Sequence, residues 1–260
     1  MKKLEVNLLQ GFVDTHIHTA PDIRPRLLND LEAAIDAKNQ KMKAVVIKSH
    51  AESTVDRAKL ASTISGFNVF GGICLNHNVG GLNPQAVNNA AKMDGKIVWL
   101  PTTSYPHISI HDDQLEEIIQ IIASTNMVLA TGHLKVEDIF MVIDMARSCG
   151  VWKILINHPL TGVVGASIDE QIEMGKHAFL EHCFVACMEG HDQINPQKIA
   201  DSIREVGSKR CVMATDFGQK HNPKPTTGMK IFINSMLENG ISMKEIYTMC
   251  SLNPGKLLFD

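Results

Sequence analysis

Eight short apolar runs recur along the chain, each followed by a stretch of helical period, and this alternation narrows the folds open to it more than any other feature. The runs are Gly11–His18, Lys43–Ser49, Asn68–Leu75, Lys96–Leu100, Met127–Thr131, Trp152–Asn157, His182–Met188 and Arg210–Thr215. Their centres are continuous in Val, Ile, Leu, Met and Cys. A parallel strand covered on both faces has that composition, whereas a strand with one wet face alternates. Between the runs, the spacing predicts helices over Leu27–Asn39, Ser53–Ser65, Leu82–Lys92, Asp113–Ser124, Val136–Cys149, Ser167–Lys176 and Pro196–Val206. Thr227–Asn239, Ser242–Cys250 and Pro254–Leu258 close the chain. Asp30, Ser53, Asn83, Asp112 and Asn195 stand near helix starts, and Gly66, Gly150 and Gly207 just past helix ends.

No linker, low-complexity tract or charge run divides residues 1–260, so the pattern predicts an α/β fold, a (β/α)₈ TIM barrel in a single domain. A doubly wound sheet is the rival. It usually has fewer strands and often a Gly-rich phosphate loop after the first, and Asp14-Thr15-His16-Ile17-His18 is no such loop.

A formal net charge of -3 without a dense basic block gives no reason to expect nucleic acid or an anionic membrane as partner. The expected partner is a small-molecule substrate, and self-association into a homo-oligomer stays open. The start, Met-Lys-Lys-Leu-Glu-Val, has no apolar signal core, and no run reaches about 18 apolar residues, so a cytoplasmic protein is expected. The six cysteines lack the close spacing of a zinc ribbon or disulfide framework, which predicts reduced thiols. Cys183 and Cys187, four apart in an expected strand, would sit roughly 13 Å from each other at about 3.3 Å per residue, too far for a metal pair.

In the first run, strand alternation puts His16 and His18 on one face. Two imidazoles on one rigid strand lose little freedom on binding a cation, and neutral imidazole is a common ligand for zinc and related ions. Reactive groups of a barrel gather where strands end, and here those ends are rich in histidine. His16 and His18 close strand one, Lys48 and His50 strand two, His77 follows strand three, His133 strand five, His158 strand six, Glu189 strand seven and Asp216 strand eight. Histidines such as His111 and His177 fall elsewhere, as ordinary polar residues do. Several imidazoles and a carboxylate around one mouth describe a site for one or two divalent ions.

His16-x-His18, then His133, His158 and Asp216 in this order at these strand ends, resemble the amidohydrolase superfamily of metal-dependent hydrolases, which includes phosphotriesterase-like enzymes and dihydroorotases. The tail Asn253-Pro254-Gly255-Lys256-Leu257-Leu258 is similar to a closing segment common there. The resemblance implies zinc or another divalent ion held by His16, His18, His133, His158 and Asp216. The chain departs from it at strand four, where many members carry a carboxylated lysine or a glutamate and this sequence reads Val98-Trp99-Leu100-Pro101-Thr102-Thr103. Lys48 is the nearest substitute. A lysine among metal ligands is costly as an ammonium, which favours a carbamate, but Lys48 could equally hold an anionic substrate group.

The resemblance also implies hydrolysis of an amide, lactone or ester bond by metal-activated water, with Asp216 as the catalytic base. Arg24, His50 and His191 are candidate substrate contacts, and Arg26, Lys220 and Lys224 add positive charge for an anionic substrate. The short loops suit a compact one. Two rivals stand beside this reading. A PHP-type phosphoesterase also opens with HxH but calls for a late Asp-x-His where this chain has Asp216-Phe217-Gly218, and a non-catalytic barrel would bind a metal or ligand without turnover.

Overall fold

The computed structural model describes residues 7–110 and 113–260, so the first six residues, His111 and Asp112 lie outside the described residues. The strands are β1 (Val13–His18), β2 (Ala44–Lys48), β3 (Asn68–Phe70), β4 (Gly72–Cys74), β5 (Ile97–Trp99), β6 (Val128–Ala130), β7 (Ile154–Asn157), β8 (Phe179–Cys183) and β9 (Cys211–Ala214). Alternating with them are α1 (Asp30–Asn39), α2 (Val55–Ser65), α3 (Pro84–Lys92), α4 (Asp113–Thr125), α5 (Val136–Ser148), α6 (Ile168–Gly175) and α7 (Pro196–Val206). The chain finishes with α8 (Pro225–Glu238), α9 (Met243–Tyr247) and α10 (Asn253–Leu258).

All pairings are parallel, β1-β2-β3 and β4 through β9 in chain order. The run Asn68–Leu75 is thus divided at Gly71, with β3 paired to β2 and β4 to β5. Glycine is required there because a Cβ would run into the carbonyl of Thr54, where α2 begins over the strand. Beyond the ladders, Asp216 N donates to His16 O at 2.8 Å and His18 N to Phe217 O at 2.7 Å, joining the last strand to the first. The result is the expected (β/α)₈ barrel.

Small and branched side chains fill its interior, among them Val13, Ala44, Val46, Val128 and Leu155, with Trp99 beneath the mouth. Outside, each helix buries one stripe on the sheet. On α5 the stripe is Ile139, Val142, Ile143 and Ala146, a spacing of 3, 1 and 3 that keeps one face inward. Burying each large aliphatic side chain of this kind stabilises the fold by about 1.5 to 3 kcal/mol. Helix starts follow the sequence chemistry. Asn29 and Ser167 form reciprocal caps with Glu32 and Glu170, and Asn83 and Asn195 cap helices whose first residue is proline. No helix among the described residues is long and apolar enough to cross a membrane, and all six cysteines are free thiols.

Two local features depart from the sequence expectation. In β1, Asp14 pairs with Val45 and Ile17 with Ile47, so three residues of β1 advance against two of β2. This bulge resets the alternation, which is why Val13 packs inside the barrel while His16 and His18 still reach its mouth. The seventh strand is Phe179–Cys183 rather than His182–Met188, because the chain turns into a 3₁₀ segment at Phe184–Cys187. Glu189 consequently lies exposed beyond that turn and does not line the cavity at the mouth.

The same shift places His182 within β8, buried, with its Nε2 atom lacking a partner. Burial pushes its pKa down to about 4, against a small opposing pull from Glu181. An unfolded chain takes up this proton near pH 6.5, so between about 6.5 and 4 the unfolded state binds more protons and stability falls as pH falls. His182→Leu is expected to remove about 3 kcal/mol of that acid loss, since each tenfold difference in proton affinity between the two states is worth about 1.4 kcal/mol, while matching or exceeding the parent at about pH 7.5. Urea unfolding at about pH 7.5 and about pH 4.5, on either side of most of this titration, measures it. An unchanged acid limb would mean that His182 is not held neutral by burial.

Candidate functional site

The mouth of the barrel holds a cavity of about 520 Å³. His18, Lys48, His50, His133 and Asp216 line its floor, and Arg24 and His191 its rim. His16 and His158 are buried next to it, in ring contact with His18 and His133 respectively. The structure therefore brings His16, His18, Lys48, His50, His133, His158, Asp216, Arg24 and His191 to one end of the barrel, whereas His77, Glu189 and Lys224, the last paired with Asp36, do not line the cavity.

Proton placement follows from the hydrogen bonds. His16 Nδ1 lies 2.9 Å from Glu181 Oε2, and His18 Nδ1 lies 3.0 Å from the Lys48 carbonyl oxygen. Both neighbours accept, so each Nδ1 carries the hydrogen and each Nε2 is left with a lone pair. Arg26 Nη2 is 3.3 Å from His18 Nδ1, but its hydrogens have a better acceptor in Asp22 Oδ2 at 2.9 Å. Those two Nε2 atoms both face Asp216 Oδ1, His16 at 3.3 Å and His18 at 3.0 Å. Three electron-rich atoms converge where nothing neutral would hold them together. His158 is oriented in the same sense, its Nδ1 3.0 Å from a Thr161 hydroxyl that itself donates to the His158 carbonyl.

Electrostatics favour a cation there. Burial pushes His18 and His158 down to about 4 and His133 to about 2. Burial alone would raise Asp216, but the surrounding imidazoles, His16 foremost, then His18 and His158, hold it well below the usual carboxylate range. At neutral pH Asp216 is ionised beside the neutral imidazoles of His18, His133 and His158, a donor set that suits zinc or a related first-row ion. His158 and Asp216 also hold positive φ, 29° and 55°, each just past a strand end. Such conformations cost non-glycine residues roughly 1 to 3 kcal/mol and gather at functional sites.

Lys48 is wholly buried, its Nζ 3.2 Å from His16 Nε2 and 5.4 Å from the centre of the Trp99 ring. No acid pairs with it among the described residues. As an ammonium it would occupy the lone pair that a metal needs. Strand β5, as its sequence predicts, leads to no lysine or acid; Thr102 beyond it meets His50 Nδ1 at 2.8 Å, and His50 stacks on His18 at 4.9 Å. The loop between β1 and α1 is anchored by Arg57 of α2, which donates to the Thr19 and Pro21 carbonyls and pairs with Asp30 and Glu52. Within it the two arginines differ. Arg26 is committed to Asp22, which removes it as an anion grip, whereas Arg24 stands exposed at the rim with Lys220. His191 meets His221 at the rim, Nε2 to Nε2 at 3.3 Å.

Three neighbours of the site are not apparent from the sequence pattern. Glu181 and Asn157 form a buried network behind His16, and Cys183 Sγ lies 3.7 Å from Glu181 Oε2. Placing the seventh strand at His182–Met188 hides Glu181; the available signal is an acid inside the apolar run Phe-Leu-Glu-His-Cys. Cys183 also joins His16 and Asp216 in a group whose potential ligand atoms lie within 4.8 Å of one another. Its sulfur sits by His16 Nδ1 at 3.8 Å, on the edge bonded to Glu181 rather than the edge facing Asp216. Burial and the nearby Glu181 raise the thiol well above its usual value, so it serves as a donor to that carboxylate.

Solved structures share this architecture. An amidohydrolase from Pseudomonas aeruginosa superposes with TM-score 0.70 at 10% identity, covering 98% of this chain and 97% of its own. A protein from Acinetobacter baumannii, described as a probable 2-pyrone-4,6-dicarboxylic acid hydrolase with citric acid bound, gives 0.68 at 14% identity, covering 96% and 99%. Dihydroorotase from Campylobacter jejuni gives 0.60 at 13%, covering 96% and 83%. The resemblance to the amidohydrolase superfamily thus holds at the level of the fold. In sequence, residues 11–181 match a family described as being of unknown function, DUF6282, and the chain belongs to that family. No curated protein matches it.

Proposed function

We propose that the protein is a divalent-metal-dependent hydrolase that cleaves an amide, lactone or ester bond in a small anionic molecule. The observation that carries this reading is the convergence of the His16 and His18 Nε2 lone pairs on Asp216 Oδ1 at the mouth of the cavity. His16, His18 and Asp216 would hold zinc or a similar ion, with His158 and His133 completing the donor set and leaving room for a second ion. A metal bound there supplies Lewis acidity and lowers the pKa of its water from about 16 towards 7.

The remaining steps belong to the chain. Asp216, ionised at neutral pH, accepts the proton of the attacking water and returns it to the leaving group. Arg24 and Lys220, which take no acid partner among the described residues, attract the anionic part of the substrate from the rim. His50 and His191, which both line the cavity, contact the substrate. Lys48 would help hold the metal as a carbamate: Nζ would add to the carbon of carbon dioxide and release a proton, which would convert a cation competing for His16 into an anionic ligand. A lactone or amide carrying carboxylates fits this charge pattern, and the Acinetobacter neighbour is described as acting on such a dicarboxylate. The free cysteines suit a reducing, cytoplasmic setting.

The test is metal analysis of protein prepared without chelators, followed by a panel of lactones, amides, esters and phosphoesters. About one or two equivalents of a first-row ion and turnover of an anionic lactone or amide are expected. Bicarbonate should raise activity in the parent and not in Lys48→Met. A metal-loaded protein inert across the panel would overturn the reading in favour of a binding barrel. A Lys48→Met protein that keeps its bicarbonate response would remove the carbamate.

A further inference from the structure

Behind His16 lies a carboxylate for which the hydrolytic reading has no use. Glu181 is fully buried on β8, and its partners are all donors: Thr15 Oγ1 to Oε1 at 2.5 Å, His16 Nδ1 to Oε2 at 2.9 Å, Asn157 Nδ2 to Oε2 at 2.7 Å and, more weakly, the Cys183 thiol to Oε2 at 3.7 Å. No lysine or arginine pairs with it among the described residues. An ionised acid buried without a permanent cation is expensive, and apolar packing would serve stability better. Something other than stability accounts for its position.

We propose that Glu181, seated by Asn157, is a positioning residue that holds His16 as its Nδ1–H tautomer and aims the Nε2 lone pair at the metal position; this rests on the metal-site reading above. The network reaches further than one ring. Asn157 Oδ1 accepts from Gly132 N at 2.9 Å, so one chain of buried bonds runs Gly132, Asn157, Glu181, His16. Gly132 directly precedes His133, and Asn157 directly precedes His158. The chain therefore ties the ends of β6, β7, β8 and β1, which carry His133, His158 and His16, in fixed relation. A carboxylate behind the ring also makes Nε2 the more basic nitrogen, as outer carboxylates generally do for metal-bound histidine. Lys48 Nζ, donating to that same Nε2 at 3.2 Å, is consistent with the lone pair being there.

Nitrogen NMR of histidine-labelled protein without metal, with His16 assigned by its loss in His16→Asn, reads the tautomer directly. Parent protein is expected to show His16 protonated on Nδ1 alone. In Glu181→Gln the Thr15 hydroxyl can turn to accept the amide N–H while the amide oxygen keeps His16 and Asn157, so the variant used is Glu181→Met, which offers no oxygen acceptor, and a mixture of tautomers is expected. Zinc affinity, measured by chelator competition, should fall about 10- to 100-fold. An Nε2–H form in the parent would overturn the proposal without recourse to any variant. Glu181→Met with parental tautomer and zinc affinity but lowered Tm would also overturn it, leaving Glu181 a structural acid. A parent that binds no zinc, yet shows the tautomer change in Glu181→Met, would sink the metal reading and leave the positioning role intact.

Discussion

Asp216→Asn should leave a folded protein with turnover lowered about 100- to 10,000-fold, the usual size of a lost general acid-base group. The substitution is chosen for the backbone as much as for the side chain. Asp216 holds φ 55°, a left-handed conformation that asparagine tolerates well and alanine does not. The amide keeps the size of the carboxylate and can turn its N–H towards the His18 Nε2 lone pair, but it has neither charge nor proton-accepting capacity. The side chain is only 14% exposed, and an isosteric replacement keeps its packing, so thermal unfolding should change modestly. A purely structural acid would behave in the opposite way, costing about 1 to 3 kcal/mol of stability with normal turnover in the folded fraction. Unfolding, metal content and turnover measured on one preparation separate the cases. Parental turnover in folded, metal-loaded Asp216→Asn would exclude it as the base.

The residues that meet at the mouth are readable because strand ends in a parallel barrel converge by construction. Once the eight runs are recognised, His16, His18, Lys48, His133, His158 and Asp216 have nowhere else to gather. What resists reading is register and partnership. The β1 bulge is invisible in Val-Asp-Thr-His-Ile-His, because a one-residue slip leaves the composition unchanged and depends on the pairing with β2. Strand β8 is displaced in the sequence pattern because Phe184–Cys187 is as apolar as a strand and turns only through its tertiary contacts. Arg24 and Arg26 look alike in the sequence, and only the return of Asp22 onto Arg26 distinguishes the bound guanidinium from the exposed one.

Replacing both β1 histidines should have the largest effect of all, loss of tight metal retention by roughly 10,000-fold. Structural zinc sites with about four ligands bind with roughly 10 to 16 kcal/mol, or about 3 kcal/mol per ligand, and two ligands are removed. The choice of replacement decides whether the result can be read. His16→Ala would strip the Nδ1 donor from buried Glu181 and unfold part of the population, since an uncompensated buried charge is costly. Asparagine at position 16 can offer Glu181 an N–H in place of Nδ1 while presenting no atom where Nε2 stood. At position 18 alanine suffices, because His18 Nδ1 serves only the Lys48 carbonyl at the edge of the cavity. Chelator competition on the folded double variant, beside each single one, measures the loss. Stepwise decreases of about 100-fold would mark two ligands of one ion. Stoichiometric metal retained by the folded double variant would move the site away from β1, and the hydrolytic reading would fall with it.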